Sequence, residues 1–184
     1  MSRRFACVYR HALALGLALA LLAPAVASAQ TAAAWNEYPS AADGFAISAP
    51  SAPMISTQDY GTAEFPAPTH TWIWKIDGAV LLVAASAFTN GWGDSKSDPV
   101  EDVASGEIKN LKNGRITSKK PVTLADVSGI DYVLEGDDNH ARSRIFRRGN
   151  RIWTLLVLSA AGTPFDDRAD RFFASFRFTS PAPP

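Results

Sequence analysis

The last third of the chain constrains the fold more than any other stretch. A strand over residues 142–146 runs into a turn at Gly149-Asn150, and a nearly unbroken apolar run follows from Ile152 to Leu158. Such a run predicts a strand that is buried on both faces. A helix and a final strand are predicted next. The helix is predicted to start at Thr163, Pro164 and Asp166. Its apolar face would consist of Phe165, Ala169, Phe172, Phe173 and Phe176.

The first 29 residues predict a cleaved secretory signal peptide. A basic start precedes an apolar, helix-prone run over residues 11–22, and Ala27-Ser28-Ala29 has the small-x-small pattern of a cleavage site. An uncleaved anchor is the alternative, but the apolar run is shorter than the ~20 residues that a membrane span needs. We therefore expect an exported protein, periplasmic or secreted, with no membrane span after cleavage.

The mature chain is expected to be one domain, residues 30–179, followed by a disordered tail at residues 180–184. Cys7, the only cysteine, leaves with the signal peptide, so no disulfide and no cysteine metal ligand is expected. Three of the 18 basic residues and none of the 18 acidic residues lie before residue 30, which gives the mature chain a net charge of −3. This charge argues against a nucleic-acid partner.

Turn and capping residues predict the other elements. Asp77-Gly78 predicts a tight hairpin, and Asp98 before Pro99 predicts a helix start, with the helix ending at Asn113-Gly114. The predicted strands are 45–48, 69–76, 79–88, 115–124 with an interruption at Pro121, 130–135, 141–147 and 152–158, and residues 51–67 are predicted to be a loop with room for one short strand.

These elements predict an α+β fold. Consecutive hairpins favour a mainly antiparallel sheet, and its doubly apolar strands require cover on both faces. We expect the two amphipathic helices and the N-terminal loops to supply that cover, which makes the domain an α/β/α sandwich.

The order of elements and several short strings resemble the PsbP-like α/β/α sandwich superfamily. The matching strings are "FAISAP" at 45–50, the capped helix at 99–112, "GIDYVLEG" at 129–136, "RRGNRIWTLLVLS" at 147–159 and "ADRFFASFRF" at 169–178. That superfamily includes the photosystem II extrinsic protein, a nuclear factor that binds the GTPase Ran, and exported bacterial DcrB-like proteins. The resemblance implies a fold whose members are mostly non-enzymatic binding or assembly modules.

Two arginines are candidate ligand-binding residues. If the loop "GDDNH" pairs Leu134 with Arg142 and Tyr132 with Arg144, both guanidinium groups share a face with apolar neighbours and could hold an anion. The alternative is a register shifted by one residue, or pairing of the arginines with Asp131 or Glu135.

Aromatic residues are the other candidates for a contact surface. Trp72 and Trp74 share a strand face and are expected to be core, with an exposed stacking surface as the alternative. Trp92 lies between two glycines, where it either plugs an edge of the core or marks a surface that binds a ligand or partner.

Asp137, Asp138 and His140 could form a metal site, but a solvated turn is favoured because three ligands within four loop residues rarely surround one ion. Without a nucleophile, phosphate loop or dinucleotide motif, catalysis is not expected, and no cofactor is expected. The sequence thus favours an exported, non-enzymatic interaction module of the bacterial envelope that binds a protein or an envelope component. A small-ligand binding protein is the alternative, and a metal-dependent hydrolase is a remote one.

Overall fold

Ten strands and two helices make up the part of the chain that the computed structural model describes, residues 34–61, 63–91 and 98–179. In chain order they are β1 (Asn36–Ser40), β2 (Phe45–Ala49), β3 (Met54–Asp59), β4 (Pro68–Ile76), β5 (Ala79–Ala87), α1 (Pro99–Lys109), β6 (Arg115–Leu124), β7 (Val127–Glu135), β8 (Asn139–Arg148), β9 (Arg151–Ala160), α2 (Asp167–Ser175) and β10 (Arg177–Phe178). Seven strands form an antiparallel sheet in the order β3-β4-β5-β9-β8-β7-β6, and β1, β2 and β10 form a smaller antiparallel sheet. The mainly antiparallel α+β prediction is confirmed.

Local turn and capping chemistry explains where these elements begin and end. Gly78 has a φ of +75°, which the β4–β5 hairpin requires and which glycine adopts without strain. The Asp98 carboxylate accepts a hydrogen bond from the Val100 N–H at 2.9 Å, and Asp166 caps α2 in the same way through the Arg168 N–H at 2.9 Å. The predicted start of α1 is therefore confirmed, whereas α2 begins only at Asp167, so Thr163, Pro164 and Phe165 precede the helix and the cap is Asp166.

Three local predictions need correction. β6 is not interrupted at Pro121, which pairs with Ile130; β6 is an edge strand, where a residue without an N–H is tolerated. Helix α1 ends at Lys109 instead of Lys112. The strand β1 was not predicted at all, because its five residues have no clear alternation of apolar and polar side chains.

The large sheet packs an apolar cluster on each of its faces. One cluster joins sheet residues to the smaller sheet and α2, and it contains Phe45, Trp72, Trp74, Leu155, Phe172 and Phe176. The other joins the sheet to α1, and it contains Val100, Ala104, Tyr132, Leu134, Ile145 and Ile152. Neighbouring residues of one strand, such as Ile145 and Phe146 of β8, belong to different clusters because side chains alternate between the faces.

The two edges of the large sheet differ in chemistry. All residues of β3 are exposed, including Met54 at 52% and Ile55 at 62%, and the strand contains no lysine, arginine or proline. The opposite edge, β6, contains Lys119, Lys120 and Pro121 and has a register irregularity between Ile116 and Ser118. Lysine, proline and bulges are the features that discourage pairing at a sheet edge.

The aromatic cluster beneath α2 should dominate the stability of the domain. Phe172 is fully buried, and its ring packs edge-on against Trp74 with centroids 5.8 Å apart. We expect Phe172→Ala to lower the free energy of unfolding by ~3–5 kcal/mol because it removes a buried ring and leaves a cavity. Urea unfolding followed by tryptophan fluorescence measures this change. The exposed Ala174→Ser on the same helix is the control, and equal midpoints for the two variants would contradict the packing described here.

Candidate functional site

A cavity of about 700 Å³ lies between α1 and the large sheet. Its floor is formed by small side chains on β4, β5 and β9, and the pairing register sets Thr71, Ala84 and Thr154 side by side. On the opposite face the same three strands carry large side chains, including Trp72, Trp74 and Trp153. The small side chains at Thr71, Ala84 and Thr154 therefore leave the space between the sheet and α1 unfilled.

Helix α1 forms one wall of the cavity with a single face. The residues it contributes recur every three or four positions, and they are Pro99, Asp102, Val103, Gly106, Glu107 and Asn110. A Cβ atom added at Gly106 would have no neighbour within 4 Å. Because glycine has no side chain, this wall has open space at Gly106.

The segment that joins β3 to β4 forms the opposite wall, through Tyr60, Gly61, Phe65 and Ala67. One carboxylate oxygen of Asp59 accepts hydrogen bonds from the N–H groups of Gly61 and Ala67, at 2.9 and 2.8 Å. A side chain at Gly61 would place its Cβ 2.1 Å from the Phe65 carbonyl oxygen, so this tight turn requires glycine. The wall is a structured turn, and Tyr60, 66% exposed, lies at its outer rim.

Glu107 is the distinctive polar residue of the cavity. Its Oε1 accepts a hydrogen bond from the Ser143 hydroxyl at 3.0 Å, while its Oε2 is buried and has no hydrogen-bond partner among the described residues. Burial raises the pKa of the Glu107 carboxyl to about 7, although the hydrogen bond from Ser143 acts in the opposite direction. The cavity thus combines a mostly apolar lining with one carboxyl group that changes charge near neutral pH.

The sequence analysis did not identify Glu107, although the sequence contains a signal for it. The apolar stripe of α1 has the spacing 100, 103, 104, 107, 108 and 111, and Glu107 is the one charged residue in that series. A carboxylate at a core position of an amphipathic helix is costly unless a partner compensates it. That cost marks the residue as a candidate for function.

The structure is similar to that of cyanobacterial PsbP (CyanoP) from Synechocystis sp. PCC 6803. The two superpose with a TM-score of 0.52 and 11% sequence identity over 82% of this chain and 95% of that chain. The fold is PsbP-like. Protein PA94 of unknown function from Pseudomonas aeruginosa matches with a TM-score of 0.35 and 12% identity over 69% of this chain and 83% of that chain. No protein-family model and no curated protein matches the sequence.

Within this PsbP-like fold, Arg142 and Arg144 do not have the register in which they would pair with Leu134 and Tyr132, but one shifted from it by one residue. Arg142 pairs with Val133 and Arg144 with Asp131, because strand pairing already begins at Glu135 and His140 and leaves a shorter loop than expected. The one-residue shift moves both arginines to the face that packs against α2. The alternative stated above, a shifted register with pairing to Asp131, describes the structure.

Asp131 forms ion pairs with both arginines. Its Oδ2 accepts hydrogen bonds from Arg142 Nη2 at 3.0 Å and from Arg144 Nη2 at 2.7 Å, and Arg142 also donates to Asp170 at 2.8 Å. Both guanidinium groups lie over the Phe173 ring, with their Cζ atoms 4.8 and 4.9 Å from its centroid. Burial acts to raise the pKa of Asp131, but the hydrogen bonds and charges of the two arginines lower it below its usual value. These contacts hold the middle of β7 and β8 to α2.

The structure does not bring Asp137, Asp138 and His140 together around a common point. Asp137 accepts a hydrogen bond from Asn113, both aspartates lie within 4 Å of Lys112 Nζ, and the His140 ring packs against Phe165. In the described part of the chain, no group of three histidine, cysteine or acidic residues could hold a metal ion.

Trp72 and Trp74 are core residues, 8% and 1% exposed, as the sequence analysis favoured. Trp92, the predicted signal peptide at residues 1–29 and the predicted tail at residues 180–184 lie outside the described residues. No helix within the described ranges has the length and apolar character needed to cross a membrane.

The high pKa of Glu107 gives the stability of the domain a specific pH dependence. Between pH 4.5, its ordinary pKa, and about 7, the folded protein holds a proton that the unfolded chain has released, so this group destabilises the fold as the pH rises. Glutamine keeps an acceptor for Ser143 and has no charge to desolvate. We expect Glu107→Gln to be more stable than the natural chain at pH 8 by up to ~3 kcal/mol, since each pKa unit corresponds to ~1.4 kcal/mol.

Urea unfolding of both proteins at pH 5 and pH 8 tests this dependence, and the difference between them should shrink at pH 5. Asp102→Asn is the matched control, because Asp102 is an exposed carboxylate on the same helix. A Glu107→Gln variant that is less stable than the natural chain at pH 8 would show that the carboxylate is not desolvated.

Proposed function

We propose that the chain is an exported, non-enzymatic binding module that holds a small amphipathic component of the bacterial envelope in the cavity beside α1. The observation that carries this proposal is the cavity itself, whose volume of about 700 Å³ lies within the ~300–1,000 Å³ typical of small-molecule sites. Its lining is mainly apolar, with a few polar groups at fixed positions, which is the usual composition of a binding pocket. A PsbP-like fold is compatible with such a role, but a fold alone does not determine function.

The proposal refines the two expectations from the sequence. The first was a protein or an envelope component as partner, and the second was a small ligand held by Arg142 and Arg144. Asp131 and Asp170 already bind those two arginines, whereas Glu107 lines the cavity and its Oε2 has no hydrogen-bond partner among the described residues. We therefore place the ligand beside Glu107. In an α/β/α sandwich, α1 and α2 would cover opposite faces of the large sheet. On the face covered by α1, the cavity would be the part left open for the ligand.

Filling the cavity should abolish ligand binding without damaging the fold. In Gly106→Leu the new side chain would extend from a position where a Cβ meets no atom within 4 Å. We expect the natural chain to bind the neutral fluorescent probe N-phenyl-1-naphthylamine saturably, with one probe per chain, and Gly106→Leu to weaken that binding at least ~10-fold. Loss of several apolar contacts, each buried CH₂ contributing ~0.8 kcal/mol, gives that magnitude.

Ser105→Leu is the matched control because Ser105 is exposed on the neighbouring position of the same helix. It should bind the probe as the natural chain does. Gly106→Ala supplies a fold check, since replacing a helical glycine by alanine should raise stability by ~0.5–1 kcal/mol. If Gly106→Leu and Ser105→Leu bound the probe equally well, the cavity would not be the binding site.

The second part of the proposal is that the protein is exported and cleaved after Ala29. The mature chain would then be a single domain over residues 30–179 with a disordered tail over residues 180–184. The support is the basic start, the short apolar run and the small-x-small site. We expect the intact mass of protein recovered from the periplasm or medium of a bacterial host to correspond to a chain beginning at Gln30. Ala29→Tyr, which places a bulky residue at the cleavage site, should keep the longer mass. Recovery of the full-length chain in the cytoplasm would contradict export.

A further inference from the structure

The α1 cavity has a one-sided distribution of charge. Among its described lining residues the only charged side chains are Asp102 and Glu107, and no lysine, arginine or histidine is present. An anionic ligand would have to enter a desolvated site of its own sign, which costs free energy. A positively charged ligand would be attracted by these two carboxylates.

The position of Glu107 on its helix adds to this preference. Glu107 lies in the last turn of α1, which ends at Lys109, with Asn110 as the C-cap residue. The C-terminus of a helix carries a partial negative charge, so it disfavours a carboxylate and favours a cation. Glu107 and the helix end therefore create negative potential at the same end of the cavity.

The hydrogen bonds of Glu107 show where the cation would bind. Ser143 occupies Oε1 from the floor side, and Oε2 remains buried without a partner in the described structure. An ionised carboxylate accepts through both oxygens, and an unpaired buried oxygen is costly. A donor group on a ligand would satisfy Oε2, and a charged N–H donor would do so most strongly.

We propose that the ligand of this cavity is an amphipathic amine, whose ammonium group binds the Glu107 carboxylate and whose apolar body lies over Leu82, Val103 and Leu156. This inference rests on the proposed function, because it names the class of ligand for the same cavity. The aromatic residues Tyr60 and Phe65 line the wall of the cavity opposite the helix. The carboxylate thus selects the head of the ligand, and the mainly apolar lining accepts its body.

Binding of an amine requires the ionised form of Glu107, so affinity should depend on pH. The groups around Glu107 are Asp102 on its own helix, Tyr60 across the cavity, Ser143 on β8 and Tyr132 on β7. Burial, together with the nearby carboxylate of Glu101, raises the pKa of Tyr132 above its ordinary value, so this phenol stays neutral throughout. Amine affinity should therefore rise as the pH increases from 5 to 8, while alkylamines remain protonated up to pH ~10.

A matched series of three compounds tests the class of ligand. 4-Phenylbutylamine, 4-phenylbutanol and 4-phenylbutyrate share one apolar body and differ in the charge of the head group. We expect calorimetric titration of the mature chain at pH 7.5 to give the tightest binding for the amine, at least ~10-fold weaker binding for the alcohol and none for the carboxylate. Glu107→Gln should weaken amine binding at least ~10-fold and alcohol binding by much less, because only the amine loses a charge–charge interaction, and Asp102→Asn should have a smaller effect on the amine than Glu107→Gln.

The outcomes separate this inference from the proposed function. If the alcohol or the carboxylate binds as tightly as the amine, and Gly106→Leu abolishes that binding, the cavity is a ligand site but the amine class is wrong. If Glu107→Gln binds the amine as the natural chain does, the ammonium does not pair with Glu107 and the inference fails. If none of the three compounds binds, both the ligand class and the cavity site are overturned. A thermal melt of Glu107→Gln confirms that any loss of binding comes from a folded variant.

Discussion

The alternation of side chains between the two faces of β4, β5 and β9 is the constraint on which the rest of the structure depends. Successive residues of a strand point to opposite faces, so one face can be filled with tryptophan while the other carries threonine, serine and alanine. Trp72 and Trp74 lie on one side and Thr69 and Thr71 on the other. A single stretch of sequence thus creates both the main aromatic core and the opening beneath α1.

That division separates the aromatic core from the cavity. The face with the aromatic cluster is sealed by α2 and the smaller sheet, and its close packing resists change. The other face is packed where α1 crosses β7 and β8 and open over β4 and β5. A buried carboxyl at the boundary destabilises the empty domain at neutral pH, which is typical of residues retained for function at the expense of stability.

Sequence reasoning succeeds where local chemistry decides the structure. Asp77-Gly78, Asp98 and Asp166 each specify a turn or a helix start through their own hydrogen bonds or backbone freedom. It is less decisive where a strand register depends on the exact length of a loop. The register of β7 and β8 depends on how many loop residues pair as part of the strands. A difference of one residue decides which face of the sheet Arg142 and Arg144 occupy.

The cavity could not be predicted because it arises from what three strands, a helix and a turn leave unfilled. The place of Glu107 in the apolar stripe of α1 could have marked it as a candidate. Only the structure shows that Ser143 on β8 binds one of its oxygens and that the other has no partner among the described residues. The strand β1 was missed for another reason: it pairs with β2, and its five mainly exposed residues carry little pattern of their own.

The contrast between the two edges of the large sheet limits how such molecules could join. Two copies paired through their β3 strands would form one continuous sheet, and the ends of that sheet would then be two β6 edges. Lys119, Lys120 and Pro121 stand at those ends, where they oppose any further strand. Growth by sheet extension would therefore terminate at a closed pair, so the exposed apolar edge does not by itself lead to a fibre.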